Sequence, residues 1–288
     1  MNAVFKKEIR TYFNTLSGYV FLGFFVLINA YFFSQINIRN GISDYSSTLT
    51  YTFSMFLILI PVLTMRLFAE ETRQKTDQLL YTSPISVWKI VFGKFFAAAA
   101  LFLTGTAITA LFPVIMSYYG EVNFVQTFSC FMGYFLLGAA LISVGIFISV
   151  LTDNQIIAAV GTFAAVFFIL MMDGIIESMP NDTFSSAVFT ALIIMIISFI
   201  LYSGTKNIIV SVIFSVVCVG AETAVYLYDS SVFDSLIAKV LEWFSVMSHF
   251  SGSFYMGVFK LSDVVYYISF IFAFLYITVN TIEKRRWR

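Results

Sequence analysis

Charge is the scarcest property of this chain. Only 11% of its 288 residues are Asp, Glu, Lys or Arg, against about 25% in an ordinary soluble domain. With 60% hydrophobic residues, that shortage excludes a water-soluble enzyme. Histidine occurs once, cysteine twice and proline four times. Cys130 and Cys218 both sit inside apolar runs, which excludes a disulfide framework and a zinc site. A single histidine leaves most general acid–base and metal chemistry without its parts. There is no G-x-x-x-x-G-K-[ST]: Gly93-Lys94 runs straight into Phe95-Phe96. H-E-x-x-H, C-x-x-C and G-x-S-x-G are missing too. The chain therefore reads as neither an enzyme nor a cofactor or metal binder. Sixteen basic residues balance sixteen acidic ones, so no nucleic-acid partner is implied.

What is present is apolar length and aromatics, with 35 Phe and 16 Tyr. A bilayer core needs about 20 mostly apolar helical residues. Eight such stretches occur, at 17–38, 51–68, 92–119, 125–151, 155–177, 187–203, 207–228 and 263–281. The sixth and seventh are short and separated only by Ser203-Gly204-Thr205-Lys206. If 187–228 were one re-entrant hairpin, six full spans would remain. Backbone groups in lipid must be satisfied within the segment, so helices are expected. The sequence thus predicts an all-α, polytopic membrane protein with a single domain over 1–288.

Orientation follows from Lys and Arg. With the N-terminus in the cytoplasm, thirteen of the sixteen basic residues fall on the inner side, and Arg39, Lys239 and Lys260 on the outer. Both termini are expected to be cytoplasmic in a cell membrane. Lys6, Lys7 and Arg10 ahead of an apolar run resemble the start of a signal peptide. The run is long, however, and Tyr31-Phe32-Phe33-Ser34-Gln35 offers no small-residue cleavage site, so it reads as a retained anchor.

Three amphipathic segments lie outside the spans. Over 1–16, Val4, Phe5, Ile9, Tyr12, Phe13 and Leu16 recur at helical spacing while Lys6, Lys7 and Arg10 face elsewhere, the pattern of a helix lying in the headgroup plane. The loop 69–92 is the largest inner surface. It opens with Glu70, Glu71, Arg73, Lys75 and Asp77, continues with Leu79, Leu80 and Tyr81, and restarts at Ser83-Pro84, which reads as an N-cap with proline at the first helical position. Two short helices joined at Thr82–Ser83 are expected there, or a solvated hairpin. On the outer side, 229–262 carries an apolar stripe of Phe233, Leu236, Ile237, Val240, Leu241, Phe244 and Met247, expected to break at Ser251-Gly252-Ser253. Trp243 suits the interface, and His249 reads as a packing residue rather than a ligand.

Ionisable residues at span depth are costly and mark functional candidates. Glu222 lies in the outer half of the seventh span, and Asp173 and Glu177 lie one turn apart near the outer end of the fifth. An intramembrane polar site built on these three would suit an ion-coupled secondary transporter. A membrane scaffold that anchors a cytoplasmic complex through 69–92 is a further alternative.

The residues taken together resemble the permease subunit of type-2 ABC transporters, in the branch grouped with gliding-motility and copper-processing accessory permeases. Lys6-Lys7-Glu8 with Tyr12-Phe13, then Ser17-Gly18-Tyr19-Val20-Phe21, is similar to that family's interfacial elbow. Glu70 to Leu80, Thr82 to Ser86 and Lys89 to Lys94 resemble its inner loop, Thr152-Asp153-Asn154-Gln155 its second inner turn, and His249-Phe250, Gly257, Asp263, Tyr266-Tyr267 and Glu283 to Trp287 its C-terminal end. The family core has six spans, so 187–228 reads as an added hairpin. The resemblance implies an exporter of two permeases, identical or related, with two ATPase subunits that bind the ATP. The 69–92 loop would dock on an ATPase subunit, Leu79, Leu80 and Pro84 as anchors beside Ser83, with Glu70, Glu71, Arg73 and Asp77 at the rim. Membrane lipid is the remaining implied partner.

Overall fold

The computed structural model describes residues 1–76, 85–179, 182–233 and 236–286, and every regular element among them is helical. Among the described residues, eight helical stretches are long and apolar enough to cross a bilayer, from Leu16–Arg39 to Leu261–Arg285. The pair expected to be short or re-entrant consists of two helices of 23 and 21 residues. At about 1.5 Å per residue each exceeds the roughly 30 Å of a hydrocarbon core. The protein is an all-α, multi-pass membrane protein.

In chain order the helices are α1 (Asn2–Asn14), α2 (Leu16–Phe33, continued by a π turn Ser34–Arg39), α3 (Tyr45–Thr52), α4 (Phe56–Thr64), α5 (Ala69–Arg73), α6 (Val87–Thr109), α7 (Leu111–Met116), α8 (Phe124–Leu151) and α9 (Gln155–Ser178), then α10 (Thr183–Thr205), α11 (Ile208–Tyr228), α12 (Leu236–Phe244), α13 (Val246–His249) and α14 (Leu261–Arg286). They form two compact units, one of Met1–Leu170 with His249–Arg288, the other of Met171–Ser248.

In the larger unit α8 is the most buried span and packs on α3, α4, α6 and α14. Its small residues allow this, because helix association in lipid depends on close backbone approach rather than on a hydrophobic drive. A methyl group at Gly145 would overlap the Thr64 side chain, and one at Gly133 would overlap Phe254. Gly145→Ala is therefore expected to cost about 1–3 kcal/mol by overpacking, read as a lower melting temperature in detergent. Beside α8, Tyr134 meets Phe56 at 4.9 Å between centroids, and Phe53 meets Phe250 edge-on at 4.7 Å. All four rings are buried, so part of the chain's aromatic excess is core, while others such as Phe24, Tyr51 and Phe128 are exposed.

The second span starts earlier than its hydropathy suggests. The Asp44 side chain caps α3 by accepting from the Ser46 N–H, and polar Ser46, Thr48 and Thr52 are buried behind it. Thr48 donates to Asn37 Oδ1, and Asn37 in turn donates to the carbonyls of Ile42 and Asp44. The turn between the first two spans thus satisfies the Asn37, Asp44 and Thr48 side chains, which lets the helix begin well before Tyr51.

In the smaller unit α10 and α11 form an antiparallel hairpin locked by the Ser198–Ser211 hydroxyl pair at 2.7 Å. Lys206 turns the chain in the left-handed region, φ 53°, and Asn207 caps α11 through the Ile209 N–H. The 229–262 segment breaks at Ser245, not at Ser251–Ser253. Ser245 leaves the helix because its hydroxyl donates to Asp173 Oδ1, and Ser248 donates to the same oxygen at 2.8 Å. In the larger unit, Ser251-Gly252-Ser253 sits inside a π turn, Phe250–Phe254, and the reversal falls on Gly257 at φ 77°, packed against the Gln126 backbone.

Candidate functional site

The charged end of the larger unit brings together α1, the turn 65–68 with α5, the first turns of α6 and the last turns of α8. Lys94, two turns into α6, is 1% exposed. An ammonium has three protons to donate, and here three oxygens receive them. These are Glu8 Oε1 at 2.9 Å, Glu71 Oε2 at 2.9 Å and the Leu67 carbonyl at 2.6 Å. The Phe68 ring lies 4.9 Å away and closes the remaining side. Lys7 reaches Glu71 Oε1 at 2.6 Å and Glu8 Oε1 at 3.5 Å. Two lysines and two carboxylates therefore alternate in a neutral ring that spans three segments. Burial works against the Lys7 charge, but the Glu71 hydrogen bond and the attraction of Glu71 and Glu8 outweigh it and hold its pKa above the ordinary lysine value. A raised lysine pKa contributes stability that is complete below the ordinary value and lost only as pH climbs past the folded one. Lys7 thus stays charged at physiological pH.

The foot of this site is pinned to α8. The Ser149 hydroxyl accepts from the N–H groups of Phe68 and Ala69, both at 3.2 Å, and donates to the Met65 carbonyl at 3.3 Å. Those two N–H groups belong to the start of α5, where no intrahelical partner exists. The Tyr12 hydroxyl donates to the Leu63 carbonyl at 3.2 Å, adding a bond from α1 to the end of α4. A cavity of about 680 Å³ borders the ring, lined by Lys7, Glu8, Arg66, Glu70, Glu71 and Lys94 among others.

The loop itself differs from expectation. Its first helix is only Ala69–Arg73. It stops because Thr76 N–H returns to the Glu71 carbonyl at 3.0 Å and Lys75 N–H to Thr72 at 3.1 Å, with Lys75 left-handed at φ 57°. Glu71 is drawn into the ring, while Glu70 makes the exposed pair with Arg66 at 3.0 Å, and Arg73 is exposed. Asp77, Leu79, Leu80, Ser83 and Pro84 lie outside the described residues. Sequence reasoning missed Lys94, Glu8 and Ser149 as site residues. A lysine inside the apolar run Val91 to Phe96 was the available signal.

The three intramembrane acids do not form one site. Asp173 is the acceptor for Ser245 and Ser248, two bonds at the break in the 229–262 segment. Glu177 is exposed. Glu222 has both carboxylate oxygens shielded and without a hydrogen-bond partner among the described residues. The Ser198–Ser211 register puts it level with Ser186, whose hydroxyl is likewise buried and unpartnered. Such a pair costs stability rather than adding to it. Glu222→Gln is expected to leave assembly intact and raise the melting temperature. Loss of transport in a normally assembled protein would instead assign Glu222 to ion coupling. His249 is a partnered residue: its Nδ1 lies 2.9 Å from Asp263 Oδ1, and its ring stacks on Tyr266 at 3.9 Å. No group of three or more metal-ligating side chains occurs among the described residues.

Eight candidate spans among the described residues, with a neutral ring of buried charges at the root of a loop in the larger unit, define a multi-pass membrane protein. The family model described as ABC-2 family transporter protein matches residues 7–228, from Lys7 of the ring through the α10–α11 hairpin. The chain belongs to the ABC-2 transporter family and forms its membrane, permease part. No curated protein and no solved structure matches the chain.

Proposed function

We propose that the protein is the permease subunit of an ABC exporter of the gliding-motility and copper-processing accessory branch, with both termini cytoplasmic. Two permeases, identical or related, would enclose the passage, and two separate ATPase subunits would bind and hydrolyse ATP. The observation that carries this reading is the Lys94 ring. In it a loop-root carboxylate, Glu71, is held to α1 through Lys7 and to the span α6 through Lys94. Ser149 adds a hold from α8. A push on the 69–92 loop at ATPase closure would then move α1, α6 and α8 together instead of bending a free hairpin. Ion pairs suit such a joint because they are directional and, once buried, costly to open. Leu79, Leu80 and Pro84 supply the apolar anchors for the ATPase groove, with Glu70, Arg73 and Asp77 around them.

The test is affinity purification of the tagged protein in mild detergent with mass spectrometry. A stoichiometric ATPase subunit without membrane spans supports the reading. A protein that purifies alone and without ATPase activity contradicts it.

A further inference from the structure

The outward face of α1 is electrically one-sided. A shallow basin of about 610 Å³ runs along it, and its lining includes Lys6, Lys7, Arg10, Thr11 and Asn14 but no carboxylate. Lys7 is taken by Glu71. Lys6 and Arg10, one helical turn apart, are exposed and make no ion pair among the described residues. The helix cannot roll to cover them. Its other face is fixed by Glu8 in the Lys94 ring and by Val4, which packs at the Gly93 backbone of α6. Two uncompensated cations are therefore held outward by the fold itself.

Their height is also fixed. The basin ends at Asn14 and Thr15, and α2 starts at Leu16, which is 78% exposed, followed by Tyr19 at 57%. Lipid-facing apolar surface thus begins immediately below the basic residues, which sets Lys6 and Arg10 in the headgroup layer. A free anion would need no such apolar shelf, whereas a phospholipid needs both parts. We propose that the basic face of α1 is a binding site for the phosphate of an anionic phospholipid, with its acyl chains along the Leu16 to Val20 surface. Lys6 and Arg10 supply the charge, and the Asn14 amide is an additional donor. Because α1 is tied to Glu71 through Lys7 and Lys94, the anchored lipid also steadies the root of the 69–92 loop. The proposal rests on α2 being a span and not on the ATPase reading, so the two can fail separately.

The full-length protein, delipidated in detergent, is titrated at low salt with phosphatidylglycerol and with phosphatidylcholine, and bound lipid is counted by native mass spectrometry. Phosphatidylglycerol is expected to bind preferentially, and raising the salt should erase the preference. The double variant Lys6→Gln/Arg10→Gln should lose about thirty-fold in affinity, at about 1 kcal/mol per cation. The charge-keeping swap Lys6→Arg/Arg10→Lys should bind as wild type. If the double variant does not fold, Arg10→Gln alone should lose about fivefold. Equal binding of the two lipids, or an unchanged preference in the variants, overturns the proposal. Competition by millimolar inorganic phosphate as effective as by phosphatidylglycerol assigns a small-anion site instead. A double variant that keeps the lipid but loses a co-purifying ATPase subunit assigns the face to that subunit.

Discussion

Replacing Lys94 by methionine is expected to destabilise the protein by about 3 kcal/mol, the lower end of the range for breaking a buried ion pair. Methionine fills the space, so the loss is electrostatic: Glu8 and Glu71 keep their burial and lose the cation that bridges them. Lys7 still reaches both carboxylates, and this keeps the cost from the top of the range. For a chain of this size the shift in melting temperature is roughly 10 °C. Lys94→Met combined with Glu8→Leu should recover most of that loss, since Glu71 then keeps Lys7 and no buried carboxylate is left over. The double variant separates structure from function, because α6 is no longer held to the loop root. It should be stable yet show weakened ATPase stimulation. A Lys94→Met protein that melts like wild type would show that the ring contributes nothing to the fold.

Leu79→Asp with Leu80→Asp should reduce transport-linked ATPase stimulation to the level of the isolated ATPase subunit. Two leucines buried in a groove contribute about 1.5–3 kcal/mol each, and carboxylates placed there without partners add a desolvation penalty. Affinity should fall by more than a thousandfold. Neither leucine is a member of the charged ring or of the Ser149 bracket, so the permease itself should express and melt normally. Unchanged stimulation in the folded double variant would remove the loop from the coupling path.

The spans were legible because lipid imposes one rule, an unbroken apolar helix of sufficient length. Charge-free stretches such as 125–151 and 155–177 locate α8 and α9 to within a residue or so. The amphipathic period over 1–16 located α1 in the same way. Hydropathy failed where polar residues are satisfied locally, as with Thr48 and Thr52 in α3. The ring was illegible for a different reason. Lys94 and Glu8 are 86 residues apart, and nothing in either neighbourhood announces the other. Counting Lys94 only as a topology signal hid its burial, although a lysine two turns inside an apolar helix demands a partner. The Asp173 acceptor was read as a proton-path candidate because its donors, Ser245 and Ser248, are neutral and more than 70 residues away. The 229–262 segment showed its stripe but not its break, since a serine leaving a helix for a distant carboxylate has no local signature.

The central claim is that force enters this protein through the loop rooted at Glu71. The most direct test places a photoreactive residue at Arg73, exposed on α5, in the full-length protein in cells. Irradiation should give one cross-linked product containing an ATPase subunit, with a yield that changes when ATP hydrolysis is blocked. Cross-linking only within the permease, or to lipid, with the same yield in every nucleotide state, would contradict the account.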